Sequence, residues 1–249
     1  MKFESVKSVI KNSSGERAAV FEDTLAEFIK EFADGRIQST YCSEADIRAH
    51  LVHRLLSKLP ASDVHAELPV PLDVERFPDQ LWGRGRVSAR RGIKADIAII
   101  DSESFYPQVI VELKFMPLQW GFVPLLQVLR SKDEEFKRTI KEALQRHVNF
   151  LKKIRLEKPK LKDIERTYFG PHKQGTTTVE RMIQIANDFK MKEHKEVKLY
   201  LCVFDELYPK IQEFLEEAAD RYKPTDNFKI IAEYTDVSQA LEDTLKELR

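Results

Sequence analysis

Apolar residues recur at different spacings along this chain, and the changes in spacing divide it into elements. Val20, Phe21, Leu25, Phe28, Ile29 and Phe32 repeat at helical spacing up to Gly35, and Ser13, Ser14 and Gly15 lead into Glu16 as a capping box. A second helix opens at Ser43, three residues ahead of Asp46. It carries Ile47, Leu51, Leu55 and Leu59 on one stripe and stops at Pro60. From Val64 to Asp101 the pattern becomes that of strands. One strand is predicted near 64–70 and another near 86–100, with a Pro- and Gly-rich excursion through Pro71, Pro78, Gly83 and Gly85 between them. After a turn at Asp101 to Pro107, the run Gln108-Val109-Ile110-Val111-Glu112-Leu113-Lys114 is dense in β-branched residues and suits a buried strand. These three strands read as an antiparallel meander.

Downstream, a long helix is predicted over about 132–156, then a polar loop with Gly170, Pro171 and Gly175, and a weaker helix over 178–190. A strand at 197–204, a helix at 207–222, a strand at 228–234 and a closing helix at 236–248 complete the alternation. Such an order predicts an α/β fold, a central mixed β-sheet flanked by helices. At 249 residues the chain has room for one elaborated domain or a domain with a smaller appendage. The division read here is an N-terminal helical extension over 1–40 and a domain over 41–249 with an insertion near 157–190. No internal repeat or low-complexity tract interrupts it.

Composition narrows the partners. With 42% hydrophobic and 33% charged residues the chain is globular and outside the disordered class. Its 41 basic residues balance 41 acidic ones, so any contact with nucleic acid must come from local patches. Two patches qualify. Arg84, Arg86, Arg90, Arg91 and Lys94 lie in the acid-free stretch 83–94, which leads straight into Asp96, and phosphate steering is its natural use. The second, 137–162, holds ten Lys or Arg residues against Glu142 and Glu157, and serves equally as a backbone-tracking or a solvated face. Cys42 and Cys202 have no metal-ligand spacing, and the six histidines show no HxH or HxxxH pattern. Trp82 and Trp120 read as packing residues. With no run of about 18 apolar residues and with Glu4, Lys7 and Lys11 breaking the N-terminus, no membrane span or signal peptide is expected, and the expected compartment is the cytoplasm.

Residues two apart in a strand share a face, so Glu112 and Lys114 project together while Val111 and Leu113 take the apolar side. Charges set in a hydrophobic strand are costly unless they pair or hold a metal. Asp96, at the head of Ile97-Ala98-Ile99-Ile100, comes within reach of Glu112 across the turn at 101–107. Two converging carboxylates are an oxygen-ligand site for Mg²⁺ or Mn²⁺, which bind through one or two carboxylates, waters and substrate phosphate. Lys114 is then placed to orient or help deprotonate the attacking water and to stabilise charge building on phosphorus. The bland alternative is a solvated salt bridge at a sheet edge. Glu67, alternating with apolar neighbours, reads as facing water.

Lys94-Ala95-Asp96 followed, after a turn, by Glu112-Leu113-Lys114 resembles the signature of the PD-(D/E)XK nuclease superfamily, in which an acid on one strand precedes an acid, any residue and a lysine on the next. The resemblance covers about 43–150 and, more loosely, the strand at 197–204. Ala95 stands where the family often has proline. The resemblance implies a restriction-endonuclease-like core to which the N-terminal helix is added, and Mg²⁺- or Mn²⁺-dependent hydrolysis of phosphodiesters, foremost in DNA. Asp96 and Glu112 would be ligands and Lys114 the polarising residue, with defence, restriction or repair as settings and a homodimer or partner subunit left open. It also implies an auxiliary acid on the helix ahead of the hairpin. Glu44 takes that place because it shares the stripe of Ile47, Leu51 and Leu55, whereas Asp46 lies about 200° round the helix. An acid in a first helical turn is favoured by the helix dipole in any case. The glutamine that many members carry after the lysine strand would be Gln145, itself equally a polar residue of an amphipathic helix. The rival function is a non-cleaving nucleic-acid-binding accessory protein on the same fold.

Overall fold

The computed structural model describes residues 14–33, 43–71, 74–77, 92–116, 132–154, 158–170, 176–193, 196–236 and 246. Strand β3 (Tyr106–Met116) lies at the middle of the molecule, and its residues 107–113 are buried without a break. Such continuous burial requires neighbouring strands at both edges and helices over both faces. The sheet runs β1-β2-β3-β4-β5, with β1 (Val64–Pro71), β2 (Gly92–Asp101), β4 (Lys198–Asp205) and β5 (Phe228–Tyr234) around β3. The first three strands form the expected antiparallel meander, and β3, β4 and β5 are parallel to one another. The sheet is therefore mixed, and with helices on both sides the fold is α/β.

One face carries the N-terminal helices. Helix α1 (Ser14–Ala33) buries Phe21, Leu25, Phe28 and Phe32, and α2 (Glu44–Leu56) buries Ile47, Leu51 and Leu55. They pack on Ile97, Ile99, Val109, Val111, Leu113, Phe115, Tyr200, Cys202 and Phe204. Phe204 meets the rings of Phe28 and Phe32 edge-on at 5.2 and 5.0 Å. Helix α1 thus forms part of this layer. Its Arg17 reaches buried Asp63 at 2.9 Å, and its Glu22 accepts from Tyr200 Oη at 2.7 Å.

Among the described residues four α-helices lie downstream of β3, and the last three of them cover the opposite face together with Val74 and Phe77. Helix α3 (Glu134–Ile154) begins where Asp133 accepts from the amides of Glu135 and Phe136. Helices α4 (Leu161–Tyr168), α5 (Thr178–Lys192) and α6 (Ile211–Ala219) follow. Ile164, Tyr168, Met182, Ile185, Phe189 and Leu215 pack with Ala98, Ile110, Leu201 and Val203 in one cluster. The segment 157–190, read from the sequence as an insertion, therefore supplies much of the second layer, and α4 falls where only polar chain was expected. Residues 86–91 of the expected second strand and the closing helix at 236–248, apart from Asp236 and Lys246, lie outside the described residues. Among the described residues no helix is long and apolar enough to cross a membrane.

The turn between β2 and β3 is tied by Asp101. Its carboxylate accepts from the Glu103 amide and the Ser104 hydroxyl, and its carbonyl accepts from the Phe105 amide, with Phe105 in the left-handed region at φ 59°. The two strands then pair Ile99 with Val109, Ala98 with Ile110 and Ile97 with Val111. The next residues along that register are Asp96 and Glu112.

Candidate functional site

Asp96 and Glu112 meet as the hairpin register requires, because the strand backbone itself links them. The Leu113 amide donates to Asp96 Oδ2 at 2.8 Å. Val111, Leu113 and Phe115 join the α1/α2 layer, and Glu112 and Lys114 alternate with them along β3. Both acids are buried, at 8% exposure each. Lys114 Nζ donates to Glu112 Oε1 at 2.6 Å and to the Leu113 carbonyl at 2.9 Å. The same ammonium stands 3.8 Å from Glu44 Oε2, so α2 delivers its first-turn acid to the strand pair. At the head of α2 the Ser43 hydroxyl donates to Asp46 Oδ2 at 3.0 Å.

Arg48 completes the cluster, and the motif reading missed it. Its Nη1 donates to Asp96 Oδ1 at 2.9 Å, and its Nη2 reaches Glu67 Oε1 at 3.0 Å. Arg48 follows Glu44 by four residues, one turn on, and that spacing is the signal that could have found it. Glu67 is exposed, as the alternation suggested, yet it is tied to the cluster through Arg48 and also holds Lys94 Nζ at 2.7 Å. Lys94 and Arg48 hold its carboxyl below the ordinary value. Glu67 has φ 56°, the left-handed region that a non-glycine residue seldom enters.

The charges are unevenly compensated. Burial pushes Glu112 up to about 7; Lys114 opposes that rise, and the Asp96 and Glu44 carboxylates add to it. Glu44 is likewise raised, by burial first and then Asp96, against the pull of Lys114, Arg48 and a hydrogen bond from the Phe115 backbone. Burial disfavours the Lys114 ammonium, but the charge and hydrogen bond of Glu112, with Glu44 and Asp96 behind it, carry its pKa above the usual lysine value. Four carboxylates, Glu44, Glu67, Asp96 and Glu112, face three cations, Arg48, Lys94 and Lys114. Among the described residues the cluster thus holds one carboxylate more than it has cations, and Glu112 is its buried, least compensated acid. Among the described residues no group of three or more His, Cys, Asp or Glu stands in a ligating arrangement. Asp96 and Glu112 are the two carboxylates that could hold Mg²⁺, an ion that binds through as few as one or two carboxylates and keeps several waters.

The other sequence candidates fare differently. Gln145 is exposed on α3 and approaches Asn149 Oδ1 at 3.4 Å, and no hydrogen bond or ion pair among the described residues joins it to the acids. Arg84, Arg86, Arg90 and Arg91 lie outside the described residues; Lys94 alone of that patch is described, beside Glu67. Cys202 is buried with a free thiol, raised well above its ordinary pKa by burial. No family model matches the chain, and no curated protein or solved structure matches it.

Proposed function

We propose that this chain is a metal-dependent nuclease that hydrolyses phosphodiester bonds, foremost in DNA, on a restriction-endonuclease-like core of the PD-(D/E)XK kind. The observation that carries this reading is the meeting of buried Asp96 and Glu112 across one strand pair, with Lys114 bonded to Glu112 and Glu44 brought in from α2. The strand order, an antiparallel hairpin continued by parallel strands, agrees with such a core.

Asp96 and Glu112 would hold Mg²⁺ or Mn²⁺, with Glu44 as the auxiliary acid. When bound, the cation would polarise the phosphate and make water a better nucleophile at neutral pH. Lys114 keeps its ammonium charged beside Glu112 and so presents a fixed N–H donor where negative charge develops on phosphorus. Leu113 and Phe115 close the apolar side behind the site and exclude water there. Basic residues ahead of β2 and in its first residues, Lys94 among the latter, serve the nucleic acid and not the bond-breaking step.

A second reading, a non-cleaving nucleic-acid-binding accessory protein, is favoured by the cation that Asp96 and Glu112 each already hold. Incubating the pure chain with DNA and RNA, with and without Mg²⁺ or Mn²⁺, separates the two. The nuclease reading expects metal-dependent cleavage. It also expects Asp96→Ala to fold, to lose cleavage and to lose metal affinity by calorimetry; unchanged metal affinity in that variant would remove Asp96 from the site.

A further inference from the structure

We propose that Arg48 and Lys94 form a binding subsite for one backbone phosphate of a nucleic acid, and that Glu67 fills it when no substrate is bound. The proposal rests on the nucleic-acid reading above and adds to it a cation pair and an internal competitor. Glu67 divides its two oxygens between the two cations, Oε1 at 3.0 Å from Arg48 and Oε2 at 2.7 Å from Lys94. A phosphodiester likewise spreads one negative charge over two unbridged oxygens, so the same guanidinium and ammonium, each giving a charge-assisted hydrogen bond, suit it.

The subsite is open to an incoming anion from the Lys94 side, Arg48 being the more buried of the two cations at 20% side-chain exposure. The side chains of Lys94 and Glu67 are 61% and 46% exposed, against 11% for Asp96. Exposed ion pairs are weak and screened, so a polyanion can displace Glu67 from them. Arg48 also fixes where that phosphate would lie. One of its nitrogens stays 2.9 Å from Asp96 Oδ1 while the other faces the Glu67 position, so the bound phosphate is one guanidinium away from the candidate metal ligand. The stand-in acid also carries backbone strain, φ 56° within β1, a feature that gathers at ligand clamps.

Binding of a fluorescein-labelled DNA duplex, measured in EDTA over a range of NaCl concentrations, tests the subsite without any cleavage. Glu67→Gln should tighten binding severalfold by removing the competitor. Lys94→Ala should weaken it and reduce the slope of log affinity against log salt by about one, the signature of one lost phosphate contact. The decisive measurement is the double-mutant cycle: Glu67→Gln should gain little or nothing once Arg48 and Lys94 are both alanine. The proposal is overturned if Glu67→Gln binds the duplex no better than the parent. It is also overturned if the gain survives the loss of both cations, since that marks a general charge effect, or if the parent binds no duplex. Should Arg48→Ala not fold, the Glu67→Gln and Lys94→Ala cycle, both changes at the surface, decides the same question. Absence of cleavage when Mg²⁺ or Mn²⁺ is restored would count against the nuclease reading alone, because the affinities are obtained without metal.

Discussion

Lys114 donates to Glu112 and stands near Glu44, so its ammonium compensates acids in the resting site as well as facing any phosphate bound there. In the nuclease reading its main contribution falls on charge that develops in the transition state. Lys114→Ala should therefore still bind metal and DNA while turnover drops by about a hundredfold or more. Lys114→Arg should restore little of it, because a planar guanidinium does not reproduce a compact ammonium in a tight site. Single-turnover rates and binding constants for both variants at one salt concentration check this; equal losses of affinity and turnover would mark Lys114 as a mere phosphate contact. Glu112 gives the residue-scale pH dependence. Its folded pKa is raised from 4.5 to about 7, so the folded state holds the proton more tightly than the unfolded state does. The stability this confers is complete below pH 4.5 and is lost as pH rises through about 7, an effect on the order of 3 kcal/mol in the absence of metal. Glu112→Gln should lack that decline, and urea titrations of parent and variant in EDTA at acidic and mildly alkaline pH would show whether the difference between them grows with pH.

At the scale of elements, α5 shows how local chemistry starts a helix that the core then holds. Thr177 Oγ1 accepts from the Glu180 amide at 3.1 Å and the Glu180 carboxylate accepts in return from the Thr177 amide, a complete capping box. Beyond it Val179, Met182, Ile183, Ala186 and Phe189 are buried at helical spacing. Thr177→Ala should cost about 1 kcal/mol in urea denaturation, the usual worth of such a cap, without altering binding or cleavage. A loss in turnover with stability intact would instead tie α5 to the site. Helix α4 is the element the sequence did not reveal. It has eight residues, and of its buried side chains only Ile164 and Tyr168 are apolar, the third being Glu165, which Arg221 meets at 2.8 Å. So short a segment shows too little periodicity to separate from a polar loop. Its partners are distant in sequence: Tyr168 donates to Asp205 at the end of β4, whose carboxylate also accepts from the amides of Leu207 and Tyr208.

For the whole molecule, the question is whether α1 is an appendage or part of the fold. Phe28 and Phe32 are fully buried against Phe204 on β4, and Arg17 reaches Asp63 ahead of β1. Removing such an aromatic leaves a cavity under a central strand, so Phe28→Ala should cost about 3–5 kcal/mol and keep a single cooperative unfolding transition. A change within about 0.5 kcal/mol, typical of surface substitutions, would make α1 an ornament on the sheet. The same layer supports the site, because α2 packs beside α1 on the sheet while presenting Glu44 and Arg48 at its N-terminal end.

Periodicity is local, and for that reason the sequence alone determined α1, α2, the three-strand meander, β4 and β5, and the sharing of one strand face by Glu112 and Lys114. The turn at Asp101 and the strand pattern also sufficed to bring Asp96 opposite Glu112, since a hairpin register depends on neighbours. The packing of 161–168 and 178–192 as the second layer was decided only by tertiary structure, as were the seating of α1 in the core and the link from Arg48 to Asp96 across 48 residues. The compensation of Glu112 belongs there too: its pKa depends on burial and on charges brought in from α2 and β2. Burial and charge compensation arise from contacts between residues far apart in the chain, and the spacing of residues along the sequence does not record them.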